Sequence, residues 1–290
     1  MDTLRRRHRL ALVVVLAILS SPGCLVRRRV VAAPGKHENR PLLTATKDEL
    51  IQRIHTFSDP IQSLTMKVDM SPSVGSLYGG QVTDYPALTG FILFLRPDNI
   101  RVMGLDPVIH GTAFDMVSSG DTFHVSIPSK NEFIIGQNSA PPLPGNTKLE
   151  NLRPVTFLHS LLVAPPDPQT DYTVLEDDTN EARSVYILMI MQRDGDQFVL
   201  RRDVFFDHYT LQITGQKTFD NTGKIRGYAT YAAWKSYSGI SFPSAIDIQR
   251  PQDGYEVVLT VIDMKINADH VTPDKFNLTP PPNAQIKELK

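Results

Sequence analysis

One cysteine in 290 residues, Cys24, leaves no intramolecular disulfide to staple a fold. An excess of one charge is also missing. The chain has 30 basic and 31 acidic residues, which is no footprint for nucleic acid. The apolar run at the N-terminus, Leu10 to Leu19, is well short of the about 20 residues a membrane-spanning helix needs. HExxH, GxSxG, P-loop and Rossmann glycine motifs are absent. None of the eight histidines pairs with another ligand at metal spacing. Asp207 and His208 are adjacent, so in a strand their side chains point to opposite faces. These absences predict a protein that is not an enzyme and uses no metal or cofactor.

What is present begins with an address. Arg5, Arg6, Arg7 and Arg9 precede the apolar run, and Ser20-Ser21-Pro22-Gly23 follow it. Basic, then apolar, then small is the layout of a secretory signal. Ser21-Pro22-Gly23-Cys24 resembles the lipobox of bacterial lipoproteins, in which the cysteine is acylated and the signal is cut just before it. That resemblance implies residues 1–23 as signal peptide, Cys24 as the palmitate-bearing anchor, and a cell-envelope location. Leu25, where an aspartate would favour the inner membrane, points to the outer membrane facing the periplasm. Two other readings stay open: an uncleaved signal anchor, and an ordinary cleaved signal with an incidental cysteine. Without residues 1–23, which hold four arginines and Asp2, the chain has 26 basic and 30 acidic residues, a net charge of −4.

Residues 24–43 read as the lipidated cysteine and a flexible tether, with Arg27, Arg28 and Arg29 beside the headgroups. Residues 44–290 read as one domain. Thr46-Lys47-Asp48-Glu49 is a capping box, and Leu50, Ile51, Ile54 and Phe57 follow at helical spacing. Leu64, Met66, Val68 and Met70 alternate with polar residues, as in a strand with one wet face. "SPSVGSLYGGQ" reads as a loop. Five short strands follow between Gly90 and Ile135. Pro154 opens a second helix, with Phe157, Leu158, Leu161 and Leu162 on its apolar side. Further strands are predicted between Tyr172 and Ile266, then a helical turn at Pro273 and an extended tail. The fold class is mainly β: ten to twelve antiparallel strands in a curved sheet or half-open barrel, with two helices over the concave face.

Several strands lack a polar face. "FILFL" (Phe91 to Leu95), "VYILMIM" (Val185 to Met191) and "VVLTVI" (Val257 to Ile262) are apolar on both sides, so both sides need cover. One outcome is a fully packed β-core. The other is an apolar cavity for acyl chains, lined by Phe57, Met66, Phe94, Leu158, Leu161, Ile187 and Met189. Leu77 and Tyr78, flanked by Gly75, Gly79 and Gly80, suggest either a loop that contacts the membrane or one that folds back so that both side chains cap the barrel end.

The order of these elements, with "KDELIQRI", "SLTMKVDM", "RPVTFLHSLL" and the closing "PDKFNLTPPPNAQIKEL", resembles the LolA/LolB lipoprotein-carrier superfamily. Its most specific piece is F-x-L-x-P at Phe276, Leu278 and Pro280. The resemblance implies a half-open β-barrel lidded by helices. It also implies binding of lipid or lipoprotein acyl chains, and a LolB-like acceptor that sits in the membrane through its lipid anchor and meets a periplasmic carrier. The competing expectation is a non-catalytic structural or assembly lipoprotein with a filled core.

Overall fold

The computed structural model describes residues 41–76, 81–106, 111–139, 153–180 and 183–289. Helix α1 spans Lys47–Ser58. Thr46 caps it: its hydroxyl accepts from the Glu49 N–H at 3.3 Å, and the Glu49 carboxylate accepts from the Thr46 N–H at 2.7 Å. Fourteen further elements follow as strands β1 (Ser63–Ser76), β2 (Gln81–Asp84), β3 (Leu88–Leu95), β4 (Asn99–Leu105), β5 (Thr112–Ser119), β6 (Thr122–Ile127), β7 (Glu132–Gln137), β8 (Asp171–Thr179), β9 (Ser184–Asp194), β10 (Gln197–Asp207), β11 (Ile213–Phe219), β12 (Ile225–Tyr237), β13 (Ile240–Arg250) and β14 (Tyr255–Ile266). Helix α2, Pro154–Leu161, lies between β7 and β8, with Pro154 in its first turn. A short 3₁₀ turn at Pro273–Phe276 leads to β15, Gln285–Leu289.

All fifteen strands join one open sheet. Its order is β15-β7-β6-β5-β4-β3-β1-β14-β13-β12-β11-β10-β9-β8, with β2 paired to β1 off this path. Neighbours are antiparallel except β15, which runs parallel to β7. The sheet must curl. Helix α2 touches β4 and β5 on one arm and β12 and β13 on the other. Strands β5 and β12 are six places apart, about 29 Å across a flat sheet at ~4.8 Å per strand. A helix of eight residues is only about 12 Å long. One apolar cluster therefore holds Phe123 and Ile134 from one arm, Leu188 and Phe206 from the other, and Leu50, Ile54 and Leu161 from the helices.

The extra strands correct the sequence reading. β1 runs on through Pro72 and Gly75 into the stretch expected to be loop, and pairs there with β2. The expected tail forms β15, so the sheet is not purely antiparallel. Both additions are short and exposed, and their pairing comes from distant chain rather than from local pattern.

The cover on the outer face is also specific. Behind β3–β5, Leu93, Leu95 and Val117 pack against Val271, Phe276 and Leu278 of the C-terminal segment. Arg101 fixes this strap by donating to the Lys275 carbonyl at 2.8 Å and pairing with Asp115 at 2.6 Å. The F-x-L-x-P motif thus seals the back of "FILFL". On β14 the expectation fails: Val258 and Ile262 are 37% and 50% exposed. At the free edge, β8 carries Glu176, Asp177 and Asp178, charges that discourage edge-to-edge pairing.

Candidate functional site

The two helices close the concave face. Phe57 of α1 stacks on Phe242 (ring centroids 5.7 Å apart) and meets Trp234 edge-on at 5.4 Å. Helix α2 turns Phe157, Leu158 and Leu161 into the same apolar cluster. Its last turn is latched by side chains of the sheet. Gln216 on β11 donates its side-chain amide to the His159 carbonyl at 2.6 Å, and Tyr231 on β12 donates its hydroxyl to the Ser160 carbonyl at 2.8 Å. Gln216 also donates to the Tyr231 hydroxyl at 2.7 Å. Burial pushes the Tyr231 phenol far above its usual range, so it stays a donor. Both latch residues are buried, where an unpartnered polar group would cost about 1–3 kcal/mol.

Of the residues expected to line a cavity, the structure brings five together. Phe57, Met66, Phe94, Leu158 and Leu161 are buried in the shared apolar cluster under the lids. Ile187 and Met189 are not with them. Along β9 it is Tyr186, Leu188 and Ile190 that enter the cluster, and alternation sends Ile187 and Met189 to the opposite face. There Ile187 pairs with Phe205 and Met189 with Asp203. Phe205 is covered by the cationic ends of Arg183 and Lys217, 5.3 and 5.1 Å from its ring. A seven-residue apolar run carries no phase, so the sequence could not say which half of it faces inward. Cys24, Leu77 and Tyr78 lie outside the described residues.

A cleft of about 420 Å³ opens between the outer side of α2 and strands β11–β13. None of the seven expected cavity residues lines it. Its walls are mixed, apolar groups alternating with the polar Arg153, His159, Gln216, Arg226, Arg250 and Asp253. Arg250 donates its Nε–H to Asp253 at 2.7 Å. The His159 imidazole reaches solvent in the cleft, yet the enclosing walls and then Arg202, Arg226 and Arg250 hold it below its usual pKa. Burial pushes the Tyr255 phenol up to about 12. Sequence reasoning missed this cleft because its arginines come from three distant segments with no motif. The latch pair left a fainter signal, polar residues in phase with inward Ala229 and Ile248. Among the described residues no group of three His, Cys, Asp or Glu could hold a metal ion, and no helix is long and apolar enough to cross a membrane.

No family model and no curated protein matches this sequence. Solved structures do resemble the fold. A LolA superfamily protein from Nitrosomonas europaea superposes with a TM-score of 0.51 at 14% identity, covering 81% of this chain and 99% of that one. A DUF1329 family protein from Desulfovibrio piger gives 0.49 at 13% identity, covering 79% and 97%. A putative outer membrane lipoprotein-sorting protein domain from Vibrio parahaemolyticus gives 0.48 at 12% identity, covering 79% and 95%. With its open, curled sheet and two helices over the inner face, the chain has a LolA/LolB-like fold.

Proposed function

We propose that this protein is a membrane-anchored lipoprotein of the cell envelope. In this reading residues 44–290 form one domain that binds acyl chains of lipids or lipoproteins on its concave face and helps transfer them to or within the outer membrane. One observation carries it: a broad apolar face is closed by only two short helices, and the smaller of them is held at its end by two side-chain hydrogen bonds. An acyl chain that displaces α2 would exchange one apolar contact for another, at little net loss of buried area. The reading assigns no catalytic step. Cys24 supplies the anchor, and a periplasmic carrier is the natural donor.

The packing of Phe57, Met66, Phe94, Leu158 and Leu161 into one cluster also supports the rival, a structural or assembly lipoprotein with a filled core. Organic-solvent extraction of the purified protein followed by mass spectrometry separates the two. Bound lipid, with uptake of a fluorescent fatty acid, supports the carrier; neither in the wild-type protein supports the filled core. The latch sharpens the test. Tyr231→Phe removes the bond to Ser160 and should cost about 1–3 kcal/mol of lid docking. Fatty-acid uptake should then speed up severalfold while the circular dichroism spectrum stays unchanged. Uptake at the wild-type rate would mean that α2 is not the gate.

Leu77 and Tyr78 belong to this reading as a membrane tip. The paired ends of β1 and β2 flank them, and Val82 and Tyr85 on the β2 side are 51% and 43% exposed. The double change Leu77→Ser, Tyr78→Ser should weaken liposome binding at an unchanged melting temperature. A melting temperature lower by several degrees with liposome binding intact would make them core residues.

A further inference from the structure

The walls of the cleft beside α2 hold more positive charge than their carboxylates offset. Arg153 and Arg250 are 6% and 8% exposed, and the Arg153 guanidinium lies 4.5 Å over the Phe123 ring. Two carboxylates share the walls. Asp253 is already engaged by Arg250. Asp220 is spent on its own turn: one oxygen accepts from the Thr222 N–H at 2.8 Å, the Thr222 hydroxyl at 2.7 Å and the Lys224 N–H at 3.1 Å. Its other oxygen accepts from the Gln252 amide at 2.9 Å. Arg226 and the His159 imidazole also line the cleft, and among the described residues neither side chain has an ion pair or hydrogen bond. The absence of a side chain at Gly227 keeps room for Arg250, since a Cβ there would lie 3.3 Å from its Nη1.

Guanidinium groups match phosphate oxygens two at a time, and such charge-assisted bonds are stronger than neutral ones. Across α2 from this cationic opening lie Phe157, Leu158 and Leu161 in the apolar cluster. A single helix thus separates a charged opening from an apolar interior, the same division an anionic lipid has between head and chain. We infer that the cleft holds the phosphate head of an anionic amphiphile whose chains enter beneath α2. This assignment rests on the acyl-chain reading above and adds the headgroup class to it.

Native mass spectrometry of the full chain in non-ionic detergent tests it, with oleoyl lysophosphatidic acid, monooleoylglycerol and inorganic phosphate as probes. The phosphate-bearing lipid should be retained about tenfold more tightly than its phosphate-free counterpart. Arg226→Gln, at an exposed position that should leave the fold intact, should remove most of that difference while monooleoylglycerol adducts stay unchanged. Arg250→Gln should act in the same direction. Equal retention of the two lipids overturns the headgroup assignment and leaves acyl-chain binding standing. Adducts with inorganic phosphate alone would mean a free-anion site and overturn both the headgroup assignment and the acyl-chain reading. Absence of every adduct overturns both as well.

Discussion

Cys24→Ser is expected to abolish palmitate incorporation and to move the protein from the membrane fraction to the soluble fraction. The expectation follows from one residue. Cys24 is the only thiol in the chain, and it sits between an apolar run and the basic stretch Arg27 to Arg29. Each acyl methylene buried in a bilayer contributes about 0.8 kcal/mol, so several chains on one cysteine make a firm anchor and their loss leaves none. The arginines add attraction to anionic lipid of about 1 kcal/mol each near the surface, too little to replace the anchor. Metabolic labelling with palmitate and fractionation of wild type and variant decide the matter. A variant that stays on the membrane with an uncut N-terminus would establish the signal-anchor reading instead.

Phe57→Ala is expected to lower the stability of the lipid-free protein by about 3–5 kcal/mol, the usual cost of truncating a buried phenylalanine. Phe57 is 7% exposed and is the side chain of α1 that meets both Phe242 and Trp234. Arg96 also ties this end of the helix, donating to the Ser58 carbonyl at 2.6 Å, so the expected loss is one of packing against the Phe242 and Trp234 rings. If the face beneath α1 takes acyl chains, saturating fatty acid should recover part of the loss by filling that void, through the ordinary linkage of binding to folding. Denaturant unfolding with and without fatty acid measures both quantities. A loss below about 1 kcal/mol would mean that Phe57 does not dock the helix.

What the sequence made legible was local chemistry. Thr46 and Glu49 announced α1, and Pro154 announced α2, because capping and first-turn preferences act within four residues. In β6, β10 and β14 turn residues flank alternating or apolar runs and mark the strand ends locally. Features that depend on distant chain were not legible. β15 has four exposed residues out of five and exists because β7 offers it an edge. The inward or outward phase of Ile187 and Met189 was set by pairing with β10, across a bulge at Leu200 to Arg202. The cleft needed the curl of the sheet to bring Arg153 beside Arg226 and Arg250. Gln216 and Tyr231 could be recognised as a latch only once the end of α2 was placed against them.

The central claim is that the face beneath α1 and α2 receives acyl chains, and a photoreactive fatty acid crosslinked to the protein in cells tests it most directly. The account predicts adducts on peptides carrying Phe57, Met66, Phe94, Leu158 or Leu161, competed away by unlabelled fatty acid. Adducts confined to the outer-face patch of Tyr172, Val174 and Phe198, which is 43–54% exposed, or no adduct at all, would contradict it.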